Sequence, residues 1–583
     1  MATASTALPI VSGGAFLIEN RAPDEIFTAE DLSEQHLAIA RTVDEFWARE
    51  VEPNREAIQH HQPGVARDIL RKAAGLGLAA IMIPERFGGM ELDITAMMVA
   101  GEHFAGDASW SGWQSAHVGI GTLPLLFFGN EQQKRKYLPK LANLEMLAAY
   151  ALTEAHAGSD ALAARTRADL TPDGTHYILN GQKMWITNGG AADLFTVFAK
   201  VGGEKFTAFL VERGFGVKSG AEEQKMGIKG SSTTALYFDN LPVPVENVLG
   251  EIGRGHIIAF NILNLGRLKL GPGTLGGAKK VLAVCLKYAK ERKAFGSPIA
   301  EFGAIQQKLA EMAIRIYAAE SAIWRSVGLV ESRLRGFSWD QPSASQTMLK
   351  AVEEFATECS IVKVYCSEML DYVVDEGVQI HGGYGFSQEY AVERAYRDSR
   401  INRIFEGTNE INRLLIPGML LKRDARGQLA LLSAGDAVIE EVTNPATDTD
   451  EESRLVGNAK RITLLCLAAA HRRYPNALDK QQEILMLIAD MTIETYVMES
   501  ALLRARKLAG REEGRPGGLP HLGVLVRDGM ARIEIAARNV LAATSGTSSL
   551  PLLRRLASYE PVDAIELRRK IARRLLQAER YII

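Results

Sequence analysis

Hydrophobic and polar positions along the chain follow two different periods, and the change between them divides the sequence. Residues 33 to about 145 carry helical patterns that are interrupted by glycine loops such as "ERFGGMEL". From about 146 to 250 the pattern changes to short β runs such as "HYILNGQKMWITN", and the "TPDG" before that run is typical of a turn. The sequence therefore predicts a small β unit placed between helical ones.

The chain returns to long helices after "LPVPVENVLG", because the two prolines of this segment end strand character. One of these helices has an apolar stripe with steps of four and three residues, which is typical of a helix that buries one face. The stripe consists of Ile305, Leu309, Met312, Ile316, Ala319 and Ile323. The acidic, proline-broken segment 440–454 predicts a linker, and residues 455–583 predict a further helical unit.

The predicted fold is α+β and mainly α, and a chain of 583 residues is long enough for roughly three or four folding units. The predicted division is an N-terminal tail (1–37), a helical N-terminal domain (38–145), a middle β domain (146–255), a helical bundle domain (256–425), a linker (426–454) and an extra C-terminal helical domain (455–583). A chain of this size can bury a large site.

Charge and cysteine content narrow the class of protein. Lys and Arg number 67 and Asp and Glu number 70, so the net charge of -3 gives no basic surplus for nucleic acid. The four cysteines show neither CxxC nor metal-ligand spacing, and we expect reduced core thiols and no metal site. The first residues lack a secretory pattern and no apolar run is long enough to span a membrane, so the expected location is cytoplasmic.

The segment "GPGTLG" (271–276) matches the G-x-G-x-x-G pattern of a dinucleotide site, and Glu291 lies at the expected distance downstream. That fingerprint needs a strand before the glycines and an acid at the end of a second strand. Here the acid ends the helical stretch "GGAKKVLAVCLKYAKE". We therefore expect a helix that packs closely on a neighbour.

Several short motifs have both a functional and a structural interpretation. "TEAHAGSD" (153–160) is either part of a binding loop or an N-cap followed by a turn. In "GQKMWITNGG", Trp185 and Thr187 are two residues apart and should share one face of a strand, where the indole either stacks on a planar ligand or packs across the sheet. "QIHGGYGF" (379–386) is either a close backbone approach or a loop, and Arg292 of "ERKAFG" either binds a phosphate or is solvated.

The segment "RIFEGTNEI" (403–411) places one carboxylate, Glu406, between Phe405 and Gly407. In this order along residues 35 to 425, the motifs resemble those of the acyl-CoA dehydrogenases. The motifs that carry the resemblance are "YALTEAHAGSD", "GQKMWITNGG", "MGIKGSSTT", "LPVPVENVLG", "ERKAFG", "QIHGGYGF" and "RIFEGTNEI". The resemblance implies a helical N-terminal domain, a middle β-barrel-like domain, a helical C-terminal domain and FAD as cofactor.

The resemblance also implies roles for individual residues. Glu406 is implied as the catalytic base. Contacts to FAD are implied for Tyr150, Leu152, Thr153, Gly158, Ser159, Trp185, Ile186, Thr187, Thr408 and Glu410, and contacts to the FAD of a neighbouring subunit for Arg292, Phe295, Gln379 and Gly383. Acyl-CoA contacts are implied for Ser159, Asn264, Arg267 and Gly407. A homodimer or a dimer of dimers follows from the shared sites.

The reaction that the resemblance implies is α,β-dehydrogenation of acyl-CoA to trans-2-enoyl-CoA in fatty-acid β-oxidation, with an electron-transfer flavoprotein as acceptor. The helical unit after residue 425 and "FGAIQ" (302–306) are similar to the very-long-chain branch, in which that unit is associated with membrane attachment. Small residues at Gly119 and Gly121 would leave a deep acyl tunnel or allow helix packing. An acyl-CoA oxidase and a non-catalytic assembly or binding protein on the same fold are the alternatives.

The sequence departs from the family pattern at two places. Ala155 and His156 replace a proline and a glycine in the loop 153–160, so that loop is expected to differ in shape. Gly266 stands where some relatives carry the base, which leaves Glu406 for this task. We expect burial against Phe405 to raise the pKa of Glu406, and Gly407 to leave room for the thioester.

Overall fold

The computed structural model describes residues 8–441, 450–511 and 520–582. Residues 1–7 of the predicted tail, residues 442–449 of the predicted linker and residues 512–519 lie outside the described residues, as does the last residue. The helical and β patterns predicted from the sequence are confirmed as a mainly helical α+β fold. No helix in the described ranges is long and apolar enough to cross a bilayer.

The first helical region contains seven α-helices, and several begin at side-chain caps. Ser33, Asp93, Asp107 and Asn130 each accept a hydrogen bond from a backbone N–H in the first turn of the helix that follows, which stabilises the helix start. A π-helical turn, His117–Gly121, separates the fifth helix from the sixth. The helices are α1 Glu34–Phe46, α2 Arg55–Gln59, α3 Val65–Gly75, α4 Ile94–His103, α5 Ala108–Ala116, α6 Leu123–Phe128 and α7 Glu131–Ala142.

The middle region is an eight-stranded sheet in the order β6-β7-β3-β2-β4-β5-β8, with β1 parallel to β4 at one side of this path. Its strands are β1 Ala148–Ala151, β2 Arg167–Leu170, β3 His176–Thr187, β4 Leu194–Val201, β5 Lys205–Glu212, β6 Lys218–Glu222, β7 Thr233–Pro244 and β8 Val248–Leu249. Phe195, Phe198 and Phe209 on β4 and β5 are fully buried, so these strands lie in the core. A short hairpin, β9 Lys293–Ala294 and β10 Ser297–Pro298, follows later in the chain.

The second helical region is built around two long helices that pack along each other, α8 and α11. Its helices are α8 Gly255–Glu291, α9 Gly303–Ser332, α10 Ala344–Glu354, α11 Ala356–His381, α12 Ala391–Ser399 and α13 Asn409–Ala425. The "GPGTLG" segment is inside α8, and a Cβ atom at Gly271 would lie 2.6 Å from Val362 of α11. The prediction of close helix packing at these glycines is therefore confirmed.

The last region contains six helices among the described residues, and it packs on α9, where five residues of the predicted stripe are buried and Ile305 is half-buried. These helices are α14 Leu431–Glu441, α15 Glu451–Arg473, α16 Gln482–Arg511, α17 Pro520–Thr544, α18 Leu550–Ala557 and α19 Ala564–Ala578. Helices α16 and α19 contact α9 directly. All four cysteines are buried and free, as predicted.

The described part of the predicted N-terminal tail packs on the second and the last helical regions. Gly13 and Gly14 donate backbone hydrogen bonds to Glu354 and Glu358, at 2.9 and 2.7 Å. Further along, the carbonyl of Ile26 accepts a hydrogen bond from Lys507 of α16. This segment therefore connects the second and the last helical regions.

Candidate active site

The candidate base, Glu406, lies in a sharp turn directly before α13. Its φ is +56° and that of Gly407 is +81°, so two consecutive residues are left-handed. The Asn412 side chain holds this turn, because its Nδ2 donates to the carbonyls of Glu406, Gly407 and Thr408 at 3.4, 2.8 and 3.1 Å. Left-handed backbone at a non-glycine residue is strained and is enriched at functional sites. The fold thus fixes the direction in which the Glu406 side chain leaves the chain.

The Glu406 carboxylate lies on α8 at Gly266. A Cβ atom at Gly266 would be only 2.6 Å from the Oε2 atom of Glu406, so the missing side chain makes the space that the carboxylate occupies. Oε2 is buried and has no hydrogen-bond partner in the described part of the chain. Burial raises the pKa of Glu406 to about 7, although nearby cations act against this shift.

Three cationic side chains surround this carboxylate. Arg267 donates to the backbone carbonyl of Glu406 at 3.2 Å and to Asn264 Oδ1 at 2.9 Å, while Lys363 of α11 donates to Asn409 Oδ1 at 2.6 Å. Burial lowers the pKa of Lys363 to about 7, against the opposing charge of Glu406. Within the described residues none of the three cations forms an ion pair with the Glu406 carboxylate. The cations are Arg267, Lys269 and Lys363.

Two expectations about the neighbours of Glu406 are corrected. Phe405 is 42% exposed and is not the main cover of the carboxylate, which lies against α8 at Gly266. Gly407 is also not a gap, because a Cβ atom there would lie 3.2 Å from Asn412 Nδ2 and 3.6 Å from Arg267. Glycine is suited to this position because of its positive φ.

The loop 153–160 is held from below by a buried carboxylate, Glu154. Glu154 accepts hydrogen bonds from the Thr166 backbone and hydroxyl at 3.0 and 2.6 Å, and it pairs with Lys183 of β3 at 2.7 Å. Its backbone also exchanges two hydrogen bonds with Ala157, which closes a tight turn over the two intervening residues. Neither Ala155 nor His156 has a positive φ, so this turn does not require a glycine.

The predicted cofactor residues on the strands form a surface with one exposed aromatic ring. Trp185 is 60% exposed at φ +57°, because a bulge between Lys183 and Ile186 interrupts the strict alternation of β3. Leu152, Ile186 and Tyr150 are buried, and the Tyr150 hydroxyl has no hydrogen-bond partner among the described residues. Thr153 and Thr187 are half-buried, whereas Gly158 and Ser159 are exposed.

A second group of predicted residues lies far from Glu406. Arg292, Phe295, Gln379 and Gly383 are all exposed, and Arg292 lies over the ring of Tyr384 at 5.3 Å. Arg292 and Gly383 line an open cleft of about 510 Å³. The helix α8 separates Gly266 from its last residue, Glu291, by about 37 Å at about 1.5 Å per residue. The chain therefore does not bring this group to its own Glu406.

Of the two interpretations of Gly119 and Gly121, an acyl tunnel or helix packing, the contacts of these glycines favour packing. A Cβ atom at Gly121 would lie 2.8 Å from the Cβ of Ala148, and one at Gly119 would lie 3.2 Å from Lys269 Nζ. A mainly apolar pocket nevertheless lies beside this turn. Its lining includes Leu78, Met82, Met97, Val118, Leu126 and Lys269.

Sequence reasoning missed three residues of the site: Lys269, Lys363 and Asn412. The two lysines carried a signal, because each stands directly between two apolar residues of a helix, in "GRLKLG" and "SIVKVY". Lys363 is fully buried and Lys269 is 8% exposed. Buried lysines are rare unless they have a partner or a task. Asn412 had no comparable signal, since an asparagine in the first turn of a helix is common.

Comparison with known proteins identifies the family of the chain. Family models described as acyl-CoA dehydrogenase N-terminal, middle and C-terminal domains match residues 33–145, 149–241 and 253–420, and a further acyl-CoA dehydrogenase C-terminal domain matches 458–553. The chain belongs to the acyl-CoA dehydrogenase family.

Individual relatives cover different shares of the chain. A probable acyl-CoA dehydrogenase of Bacillus subtilis (strain 168) is 45% identical over 100% of both chains. The very long-chain specific acyl-CoA dehydrogenase of Rattus norvegicus mitochondria is 42% identical over 60% of this chain and 53% of its own length. The crystal structure of an acyl-CoA dehydrogenase complexed with FAD from Bacillus anthracis is 47% identical, covers 98% of this chain and 100% of its own, and superimposes with a TM-score of 0.96.

Proposed function

We propose that this chain is a FAD-dependent acyl-CoA dehydrogenase that converts long-chain acyl-CoA to trans-2-enoyl-CoA, with Glu406 as the base. The observation that carries this proposal is the Glu406 carboxylate over Gly266, whose buried Oε2 atom has no hydrogen-bond partner among the described residues. A carboxylate that is neither neutralised by an ion pair nor solvated is a stronger base than one in water. This matches the task of removing a weakly acidic α-proton.

The strand surface fits the isoalloxazine ring of FAD. Trp185 offers an exposed indole face, the buried Tyr150 hydroxyl has no partner in the described ranges, and a Cβ atom at Gly158 would meet open space. A planar aromatic cofactor with polar edges uses both kinds of group. Trp185, Ile186 and Thr187 would hold the ring, and the loop 153–160 would hold the rest. Bound FAD would supply the acceptor for the hydride that leaves the β-carbon.

The residues of this chain then have three tasks in the reaction. Glu406 removes the α-proton of the thioester, for which its pKa of about 7 is well matched. We assign the backbone N–H of Glu406 to the thioester oxygen, where negative charge develops as the proton leaves. Arg267 and Asn264 hold the turn that carries Glu406 and face the coenzyme A side. The buried walls of α8 and α11 exclude water from the reacting atoms.

The remote group of residues is proposed to complete the site of a second subunit. Arg292, Phe295, Gln379 and Gly383 would reach the FAD of the neighbour, and Thr408 and Glu410 would contact FAD near the base. Phe295 supports this assignment, because it is 98% exposed in the single chain. Covering such an exposed apolar ring with a neighbouring subunit would remove it from water, which is favourable. A homodimer or a dimer of dimers follows.

The preference for long acyl chains is supported by the relatives. The very long-chain specific enzyme is 42% identical to this chain, and the additional helical region matches a C-terminal domain of the same family. An electron-transfer flavoprotein is proposed as the acceptor, and fatty-acid β-oxidation as the pathway.

The test is an anaerobic visible spectrum of the purified protein with palmitoyl-CoA and, separately, with butyryl-CoA. We expect palmitoyl-CoA to bleach the oxidised flavin band and butyryl-CoA to leave it nearly unchanged. The Glu406→Gln variant should keep the flavin and bind palmitoyl-CoA but lose bleaching by about 10²–10⁴-fold in rate. Rapid bleaching of that variant would remove Glu406 as the base, and a purified protein without flavin would remove the proposed activity.

A further inference from the structure

Lys269 is a buried lysine that the proposed reaction does not use. It lies on α8 three residues after Gly266, and residues three apart share one face of a helix. Glu406 occupies the space above Gly266 on that face. Lys269 is 8% exposed and is a cation in the lining of the mainly apolar pocket beside α5. An ammonium group in such surroundings is costly unless its charge has a use.

The position of the Lys269 ammonium is fixed by backbone. Its Nζ donates to the carbonyl of Ser115 at 3.1 Å, just before the π-helical turn His117–Gly121. Gly119 of that turn is in close contact, since a Cβ atom there would lie 3.2 Å from Nζ. This hydrogen bond by itself asks only for a donor and not for a positive charge.

Among the titratable groups around Lys269, only Glu406 is a candidate for a negative charge near pH 7 in the described part of the chain. Burial lowers the pKa of His117 to about 4, so its imidazole is neutral at pH 7, and its two nitrogens bond to Leu141 and Ala148. Burial raises the pKa of the Cys359 thiol to about 12 and that of Tyr150 further above its usual range. The remaining cations are Arg267 and Lys363. Glu406 is thus the carboxylate whose charge acts on Lys269, against the burial that lowers the pKa of Lys269 to about 7.

We propose that Lys269 is a positioning residue for the base: its ammonium, anchored to Ser115, keeps the Glu406 carboxylate ionised and directed over Gly266. This inference rests on the proposed function of Glu406. The two groups do not form an ion pair in the described structure, so the carboxylate stays free for a proton of the substrate. Arg267 acts on the backbone of the same residue and Lys363 on the start of α13, whereas Lys269 approaches from the mainly apolar pocket.

The test compares Lys269→Met, which lacks both charge and donor, with Lys269→Gln, which lacks the charge and keeps a donor. The ionisation of Glu406 is followed by infrared difference spectra over pH, with Glu406→Gln as the reference that assigns the carboxyl band. This readout needs neither substrate nor turnover. Lys460→Met is the control, because Lys460 is a buried lysine that pairs with Glu499, away from the site.

We expect both Lys269 variants to raise the midpoint of Glu406 ionisation by about one pH unit, which is a tenfold change. The rate of flavin reduction should then fall about tenfold below the midpoint and recover at high pH, while Lys460→Met keeps the wild-type midpoint. An unchanged midpoint in Lys269→Gln overturns the proposal, whatever Lys269→Met does, because only the donor role would then remain.

Variants that fail to fold and a wild-type protein that is inactive have different consequences for the proposal. If both variants fail to fold, Lys269→Arg must keep the wild-type midpoint, and a raised midpoint in that variant contradicts a role for the charge. If wild-type protein shows no flavin reduction with any acyl-CoA, the proposed function fails. The infrared midpoints still decide whether Lys269 controls the ionisation of Glu406, so the two failures are distinguishable.

Discussion

Two carboxylates of this protein, Glu320 and the half-buried Glu406 with its buried Oε2 atom, both have cations nearby but have opposite pKa shifts. Glu320 on α9 is 4% exposed and lies among Lys279 of α8, Arg504 of α16 and Tyr581 near the end of the chain. Arg504 contacts Glu320 Oε2 at 2.7 Å and the Tyr581 hydroxyl donates to the same oxygen at 3.0 Å. Lys279 pairs with its other oxygen. Every oxygen of Glu320 therefore has a partner.

The pKa values follow from this difference in contacts. Burial would raise the pKa of Glu320, but Arg504 and Lys279 outweigh it and hold the pKa below the usual range. At Glu406 burial prevails and the pKa rises to about 7, because its cations do not touch the carboxylate. Direct contact with the cations, and not their number, thus separates the structural carboxylate Glu320 from Glu406, the proposed base.

The Glu320 cluster also joins separate parts of the chain. Lys279 contacts Glu102 of α4 at 2.7 Å, and Arg504 contacts Glu30 of the N-terminal segment at 2.6 Å. The cluster thus connects the first helical region, the second and the last. We infer that its task is to hold these regions together, whereas the charges around Glu406 serve the reaction.

The largest effect is expected from Glu320→Gln, which removes the charge from the paired cluster. Breaking a buried charge pair typically costs about 3–5 kcal/mol, and we expect the lower end because Lys279 keeps Glu102 and Arg504 keeps Glu30. Thermal unfolding followed by circular dichroism should show the loss. The rate of flavin reduction per folded molecule should stay unchanged.

The control for this variant is Glu534→Gln, which breaks an exposed pair with Arg538 on α17. Exposed pairs of this spacing contribute about 0.3–0.5 kcal/mol, so the unfolding temperature should hardly move. Equal losses in both variants would contradict the structural role of the Glu320 cluster.

The second-largest effect is expected from Gly266→Ala, which keeps all charges, displaces the Glu406 carboxylate and should slow flavin reduction. The new Cβ atom would lie 2.6 Å from Glu406 Oε2, so the carboxylate must shift. A displacement of about 1 Å at a reacting group costs about 10²-fold in rate. Alanine also stabilises a helix interior by about 1 kcal/mol relative to glycine. We therefore expect slower flavin reduction in a protein that is at least as stable as the wild type.

Stopped-flow reduction and thermal unfolding of Gly266→Ala measure the two effects separately. A wild-type rate in this variant would show that the position of the carboxylate over Gly266 does not matter to the reaction. If the variant loses both its bound flavin and thermal stability, the cause is a packing defect in α8.

Much of the fold was predictable because it depends on periodicity and on glycine. The α9 stripe and the close approach at Gly271 followed from spacing, since a helix face and a missing Cβ have direct geometric consequences. The packing of residues 8–31 on distant helices was not predictable. Its contacts join residues more than 300 positions apart, such as Gly13 and Glu354, and no local pattern reports them.

The site was predictable as a set of residue types and not as an electrostatic arrangement. The motif around Glu406 indicated a base. The apolar residue next to it, Phe405, was expected to bury the carboxylate, but Phe405 is partly exposed. The groups that act on Glu406 come from α8 and α11, at residues 269 and 363. Their distance from Glu406 depends on how these two helices pack, and no local sequence pattern indicates that packing.

The third prediction concerns the pH dependence of flavin reduction by acyl-CoA. The pKa of Glu406 is raised to about 7, and the base must be ionised to take a proton. The rate should rise about tenfold per pH unit below pH 7 and level off above it. The midpoint belongs to Glu406 together with Lys269 and Lys363, whose pKa values burial lowers to about 7. A midpoint near 4.5 would show that the carboxylate is solvated in the enzyme–substrate complex.

The smallest effect is expected from Tyr581→Phe, which removes one neutral donor from Glu320 and keeps all of its charges. The phenyl ring can stay beneath the Lys279 ammonium, which lies 5.2 Å from the ring centroid of Tyr581. Because Arg504 and Lys279 still contact the carboxylate, only the hydrogen bond of 3.0 Å is lost, at about 1 kcal/mol. The thermal unfolding temperature should fall slightly, and the rate of flavin reduction should not change. A loss as large as that of Glu320→Gln would mean that the hydroxyl, and not the ion pairs, holds the last helical region in place.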